Sequence, residues 1–570
     1  MKKFNKKKIA VIAVVILLGL LVAAVFPFIL PWPYKNADSQ ATNLKPDFNI
    51  SSMFLKYNFG DGENTYSDLS VLGTRSFKLK EYKIANMYFG LPVTSIAPSA
   101  FEGNDTMESI TVAENIKSIS DNAFKGCSSL TNVSLPTSLI TIASTAFDDC
   151  TALKYNEYAN ARYLGNDSNP YLALIDFIDT DMSSATIHSG TSVIADKAFA
   201  ECDRLQSITF EGANVPTYAY SDISTLRTVT IEGDATTIPA GAFKDCMFLR
   251  EVVLPDTVKV ISNSAFSGCS MLSKINIPSA LVTIGNSAFN KCKSLSAMDL
   301  PETVTSIGSS AFSGCASITS IEIPDSVTYI GDSAFASCML LGEIKLPNTI
   351  TSIGNYMFSG CPSLTSINIP ETVTTIGMSA FTGCAKLEAI NLPEGLVSIG
   401  NSAFSQCSSL SDIRFPDAIT TIGDYAFEGC ASLLRVNISK YVTKIGCAPF
   451  NSCEALMRIE VDEENENYTS IDGNLYNKDE TVLIQYACGR DNPVFSIPES
   501  VTTISDSAFS GCQSLSFVII PDSVTTVEGF PFFGCSQKTV IYCESYGPTS
   551  SWNKSWNYSD LTVYWGYADN

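Results

Sequence analysis

Fifteen of the 18 cysteines in this chain occupy one column, three residues after a phenylalanine: Cys127, Cys150, Cys202, Cys246, Cys269 and onward to Cys535. Thiols repeated in this way do not form a pairing pattern, because equivalent side chains in stacked units run parallel, whereas a disulfide needs them to face each other. The column reads as small buried apolar residues packed beside the phenylalanines. Cys447, Cys488 and Cys543 lie outside it, and no C-x-x-C pair marks a thiolate metal site. The single histidine, His188, stands in Thr186-Ile187-His188-Ser189 without the neighbours that general-base chemistry demands, and any serine or cysteine triad would have to use it. There is no G-x-x-x-x-G-K-[ST] loop and no H-E-x-x-H helix. Two carboxylates suffice for glycoside hydrolysis, yet nothing singles out a pair among the 58 acidic residues. The run Asp462-Glu463-Glu464-Asn465-Glu466-Asn467 offers oxygen ligands without the ordered spacing of a calcium loop, and reads as a solvated turn. The expectation is a chain that is not an enzyme, with no catalytic residues, no cofactor and no metal site.

The elements that would position these residues follow from one spacing. Phe243, Phe266, Phe289, Phe312, Phe335, Phe358, Phe381, Phe404, Phe427 and Phe450 stand 23 residues apart without a slip. A fixed period of this length marks stacked units, each unable to bury its own apolar face alone. In one unit, Leu364, Ile367 and Ile369 have L-x-x-L-x-L spacing that ends in a strand's two-residue alternation. Pro370 closes the strand, since proline gives no N–H to a ladder. The glycine after isoleucine, as at Gly285, Gly308 and Gly377, is expected at a corner with positive φ. The Ala-Phe pair is expected on a short helical or 3₁₀ return segment, its ring stacked on those of adjacent coils. With Phe101, Phe124, Phe147, Phe199, Phe509 and Phe532 the pattern predicts about sixteen coils. Intervals of 52 residues from Phe147 to Phe199 and 59 from Phe450 to Phe509 exceed two periods, so each is expected to bulge from the stack.

The unit I-P-x-x-V-T-x-I-G-x-x-A-F-x-G-C-x-S-L resembles the leucine-rich repeats of BspA-like surface proteins, over roughly residues 78–566. Tyr163-Leu164-Gly165-Asn166 and Ile471-Asp472-Gly473-Asn474-Leu475-Tyr476 carry the same resemblance. Residues and resemblance together give a β-rich, α+β solenoid: a right-handed leucine-rich-repeat stack of 23-residue repeats, preceded by one N-terminal transmembrane helix. The resemblance implies a bacterial cell-surface protein that adheres to other macromolecules.

Residues 1–8 form a basic tail with five lysines, and an uncharged apolar run follows over 9–30. That run matches the roughly 20 helical residues that span a bilayer, and is longer than the apolar region of a cleavable signal. It is expected to be a signal anchor, with the lysines cytoplasmic and the body outside; the alternative is a cleaved signal and a secreted body. Residues 35–77 read as a stalk and N-terminal cap, 78–535 as the solenoid with irregular insertions near 151–197 and 454–495, and 536–570 as a C-terminal cap. The net charge is −22, with no basic stripe after residue 8, so nucleic acid is not an expected partner.

The best candidates for function are outward strand positions. Asn276, Asp299, Glu322, Lys345, Asn368, Asn391, Arg414 and Asn437 form one polar lane, with Lys274, Ser320, Glu343 and Asp412 beside it. Solenoids commonly bind through such a face, and the expected partners are extracellular proteins or glycans of host or neighbouring cells. A structural envelope spacer is the alternative reading, and an envelope enzyme a more distant one.

Overall fold

The computed structural model describes residues 55–58, 69–74, 79–88, 91–216, 220 and 223–567. The basic tail and the apolar run at 9–30 lie outside the described residues, as does most of 35–77. Each coil contributes two short strands joined by turns, and each strand type stacks on its equivalents in parallel. A column of longer strands includes Ser184–Ile187, Ser207–Phe210, Thr228–Ile231, Glu251–Val253 and Lys274–Ile275 in one sheet. A column of two-residue strands runs through Thr237–Ile238, Val260–Ile261, Thr283–Ile284, Ser306–Ile307 and Tyr329–Ile330. In these parallel columns pairing matches residues of adjacent coils, such as Ile261 with Ile284 and Ile307 with Ile330. Proline starts the turn between the two strand types: the Pro370 carbonyl accepts the Val373 N–H at 3.0 Å, and Pro278, Pro301 and Pro324 repeat this bond.

The third side of each coil is the Ala-Phe segment. Of the Ala-Phe segments Ser144–Phe147 is a 3₁₀ helix, and the others among the described residues are turns, not the helical return the spacing implied. They are nonetheless laddered. The N–H of Phe266 donates to the Ala288 carbonyl at 2.8 Å, and Phe243, Phe289, Phe312 and Phe358 make the same bond to the next coil. From Phe243 to Phe450 consecutive rings stack at centroid distances of 5.2–5.9 Å, within 19° of parallel. A turn can be laddered because its left-handed residue lies two positions before the phenylalanine, at Ser264 (φ 57°), Ser287 (φ 55°) and Ser310 (φ 56°).

This placement corrects the expectation for glycine. The glycines after isoleucine do not have positive φ. They are small because the preceding coil touches them: a Cβ on Gly285 would lie 2.6 Å from the Asn263 nitrogen, and one on Gly377 would lie 2.7 Å from that of Asn355. Close backbone approach selects glycine as firmly as a left-handed corner does.

The ring stack is longer than the phenylalanine column. Phe177 packs on Phe199 at 5.0 Å, Tyr220 on Phe243 at 5.1 Å, Tyr486 on Phe509 at 5.4 Å and Trp556 on Phe532 at 6.2 Å. These rings extend the stack to about 20 turns, where the phenylalanines alone counted sixteen. Nor do the two long intervals bulge. Each is an antiparallel meander, Asn156–Tyr158 with Ala161–Leu164 and Ala173–Phe177, then Tyr468–Ile471 with Asn474–Asn477 and Val482–Gln485. The last strand of each rejoins the parallel column, and Tyr163, Leu164, Leu475 and Tyr476 are buried. Asp472 (φ 48°) and Gly473 (φ 74°) make the second hairpin turn, Ala159 and Asn160 the first; both have the paired positive φ of a type I′ turn.

Leu55–Asn58 pairs antiparallel with Leu69–Thr74, which joins the two-residue-strand column through Leu91–Ile96. At the other end Val540–Cys543 and Thr562–Trp565 extend the long-strand column.

The two explanations for glycine separate experimentally. Gly377→Ala should lower stability by about 1–3 kcal/mol through overpacking. Gly342→Ala, where no atom comes nearer than 3.8 Å to the added Cβ, should change it by no more than about 0.5 kcal/mol. Denaturant titration of the two variants measures both.

Candidate functional site

The twelve outward residues named from the sequence are all exposed, and the inward neighbours Ile321, Ile344, Ile367, Ile390, Ile413 and Val436 are buried. Parallel register sets Ser320 beside Glu343 and Glu322 beside Lys345, then Asn368 beside Asn391. The lane therefore exists as one face, but its strands do not form one sheet. Asp299, Asp412 and Arg414 lie on extended coils without strand pairing. The coils that break carry Met298 and Phe415 inward, where their neighbours carry isoleucine, valine or leucine. The Phe415 ring is accommodated against Phe427 at 5.6 Å. The ladder also opens between Glu343–Lys345 and Ser366–Asn368, where the inward residues are Ile344 and Ile367.

At the first break Asn276 takes over part of the ladder: its Oδ1 accepts from the Leu254 N–H and its Nδ2 donates to the Leu254 carbonyl, each at 2.7 Å. Beside it an open cleft of about 400 Å³ is lined by Glu251, Val253, Ser273, Lys274, Asn276 and Ser296, among others. Glu322 and Lys345 form an ion pair that raises the Lys345 ammonium above its ordinary range. Both groups are well exposed, so water screens the pair. The remaining nine lane residues, among them Arg414, Asn368 and Asn437, have no side-chain hydrogen bond or ion pair and present their polar groups to solvent.

Sequence reasoning missed two aromatic groups. Tyr158, Tyr163 and Tyr171 gather around His188, whose ring stacks on Tyr171 at 3.9 Å and meets Tyr158 edge-on at 4.8 Å. The His188 Nδ1 accepts the Gly190 N–H at 2.9 Å, and Glu211 accepts the Tyr158 hydroxyl at 2.8 Å. This histidine packs against the tyrosines of the first meander and helps to hold it. The second group continues the lane into the C-terminal strands, where Phe517, Tyr542 and Tyr564 replace charged residues, and Tyr542 stacks on Tyr564 at 5.3 Å. The Trp and Tyr richness of residues 536–567 was legible as a cap, not as part of the face.

The acidic run folds around Asn465, which is fully buried. Its Oδ1 accepts the N–H groups of Asn467 and Tyr468, each at 2.8 Å, and its Nδ2 donates to the Ser439 carbonyl at 2.8 Å. Among the described residues no group of three or more His, Cys, Asp or Glu side chains is placed to hold a metal ion.

The cysteine column is buried, and it hydrogen-bonds. Twelve thiols donate to a phenylalanine carbonyl of the preceding coil at 3.1–3.3 Å, as from Cys269 to Phe243 and from Cys430 to Phe404. A thiol is thus better suited than alanine, because it fills the space and satisfies a carbonyl. One column member departs from the free-thiol pattern: Cys512 is disulfide-bonded to Cys488 of the second meander, with Cα atoms 4.6 Å apart. Among the free cysteines Cys447 alone is exposed.

With this geometry the family is evident. The sequence matches the family described as BspA type leucine rich repeat region over residues 67–168, 176–281, 259–388, 374–482 and 486–559, and the chain belongs to it. Residues 1–46 match an N-terminal transmembrane domain of oligopeptide transport permease C. No curated protein matches the chain in sequence. Among solved structures it is similar to a leucine-rich repeat protein from Eubacterium ventriosum, with 32% identity over 40% of this chain and 60% of that one, at a TM-score of 0.36. It is also similar to a leucine rich cell surface protein from Faecalibacterium prausnitzii, with 26% identity over 64% of this chain and 93% of that one, at a TM-score of 0.30. The pneumococcal vaccine antigen PcpA is 22% identical over 42% of this chain and 58% of that one, with a TM-score of 0.31. The chain thus spans 60% of the length of the Eubacterium protein it matches.

Burial pushes the Cys315 and Cys430 thiols up from 9.0 to about 12. Between those values the folded chain keeps protons that the unfolded chain releases. The stability they confer is complete below roughly pH 9 and is lost as pH rises toward about 12, by about 1.4 kcal/mol per pH unit for each thiol. The melting temperature should therefore fall steeply between about pH 9 and 12, and the double variant Cys315→Ala/Cys430→Ala should show a shallower fall by calorimetry. In native protein at neutral pH, maleimide labelling read by mass spectrometry should modify Cys447 first.

Proposed function

We propose that this chain is a cell-surface binding protein, held at a membrane by residues 9–30, whose outward strand lane contacts extracellular proteins or glycans. Membership of a family that includes leucine-rich cell surface proteins supports the location, and the match of residues 1–46 to a transmembrane domain supports the anchor. The observation that carries the binding reading is the lane itself. Its inward columns are nearly invariant from coil to coil, whereas its outward positions change between acid, base, amide and hydroxyl on a rigidly laddered support. A rigid surface loses little conformational freedom on binding, so many weak polar contacts can add up. The leucine-rich-repeat fold is typically a binding scaffold without enzymatic chemistry, in keeping with a histidine and thiols already spent on structure. The spent lane residues, Asn276 and the Glu322–Lys345 pair, favour the spacer reading locally; the nine unengaged ones favour binding.

The test is saturable binding of the full-length chain in detergent to a panel of matrix proteins and envelope glycans, at several salt concentrations. Arg414→Ala should weaken binding to the ligand found by about five- to tenfold, with stability unchanged within about 0.5 kcal/mol. Lys345→Ala should have a smaller effect, because Glu322 already engages that ammonium. Absence of saturable binding across the panel would favour the spacer, and wild-type affinity in Arg414→Ala would remove this part of the lane from the site.

A further inference from the structure

The long-strand column has two ends, and they differ in chemistry. At the N-terminal end the edge strand among the described residues is Glu81–Lys83, with Tyr82 buried between two exposed charged residues. At the C-terminal end the edge strand is Thr562–Trp565, which pairs with Val540–Cys543 on one side and, among the described residues, with nothing on the other. It carries no charge. Tyr564 is 54% exposed and Trp565 36%. In the phenylalanine turns of the same terminal coils Phe530, Phe533 and Tyr558 form a further exposed aromatic group, with Tyr558 at 5.5 Å from Phe530 and 6.1 Å from Phe533.

An open edge strand leaves backbone N–H and C=O groups without partners and acts as a template for another strand, and natural proteins usually blunt such edges with charge. Glu81 and Lys83 do this at the N-terminal end. We propose that the C-terminal edge is a homotypic interface, at which two copies of this chain pair strand Thr562–Trp565 antiparallel about a two-fold axis.

Three observations select a second copy as the occupant. First, the chain is strongly acidic, with a net charge of −22 even with the five lysines of its tail, so two bodies repel each other except where the contact strip is uncharged, and Thr562–Tyr567 is such a strip. Second, head-to-tail stacking would press this strand on Glu81 and Lys83 and desolvate both, whereas a two-fold contact avoids the charged end and closes at two copies. Third, a strand pairing antiparallel with itself is self-complementary in hydrogen bonding. A two-fold axis normal to the sheet sets Tyr564 opposite either Tyr564 or Thr562 of the other copy, and both are favourable aromatic or β-branched cross-strand pairs. The new pair would extend the existing Tyr542–Tyr564 stack and make the outward faces of the two copies continuous.

The test is sedimentation of the full-length chain in detergent over a concentration series. The wild-type chain should reach twice the monomer mass, and Tyr564→Lys should raise the dimer dissociation constant at least tenfold. Tyr329→Lys, at a residue 55% exposed on the two-residue-strand column, should behave as wild type. As a check independent of any variant, amide exchange at Thr562–Gly566 of the wild-type chain should slow as concentration rises. The proposal is overturned if the wild-type chain stays monomeric, if the dimer tolerates Tyr564→Lys, if Tyr329→Lys dissociates it equally, or if exchange at the edge strand is independent of concentration.

Discussion

Everything in this molecule hangs on the backbone hydrogen bond from one coil to the next. Each coil is bonded on three sides: through the long strand, through the two-residue strand, and through the turn in which a phenylalanine N–H reaches a carbonyl of the following coil. The bonds demand that successive coils approach to a strand's spacing all around the perimeter. That demand explains why side chains vanish at Gly285 and Gly377, why the rings must lie nearly parallel, and why the residue beside the ring is a thiol that bonds the Phe carbonyl below it. The perimeter is not closed everywhere: the long-strand ladder opens at the coils of Met298 and Phe415, and again between Glu343–Lys345 and Ser366–Asn368.

Those openings connect the core to the surface that would meet a partner. Where the ladder is closed, outward side chains stand in fixed register and can pair with each other, as Glu322 and Lys345 do. Where it opens, Asn276 bridges to Leu254 and a cleft forms beside Lys274 and Ser296. The lane is thus a regular array with irregular places, and binding specificity on such a face would come from those places as much as from the array. The meanders work the same way. They add strands without breaking the core, and the first gathers three tyrosines around the single histidine.

Much of the fold was legible because a constant period leaves little freedom: the phenylalanine spacing dictates a stack, and two-residue alternation around Ile367 assigns Asn368 outward. What was misread has physical causes. Glycine after isoleucine is compatible both with positive φ and with close approach, and the sequence does not separate the two; the left-handed residue proved to be serine, as at Ser264. Tyr220, Tyr486 and Trp556 escaped notice because the column asks for an aromatic ring rather than for phenylalanine. The second meander could have been found from Asp472-Gly473, a strong hairpin signal, whereas Ala159-Asn160 gives no comparable signal. The outward residues named from alternation are exposed, but alternation cannot reveal where the pairing between their strands breaks.

The most direct test of the inter-coil ladder is native-state hydrogen exchange at the phenylalanine amides. Exposed turns ordinarily exchange fast, because their N–H groups open without disturbing the core. If the ladder holds the stack, the amides of Phe266, Phe289 and Phe312 will exchange as slowly as those of the paired strands at Ile284 and Ile307, although they lie in turns. Exchange of these amides at turn-like rates, with the strands still protected, would show that the strands alone carry the fold and would contradict the account.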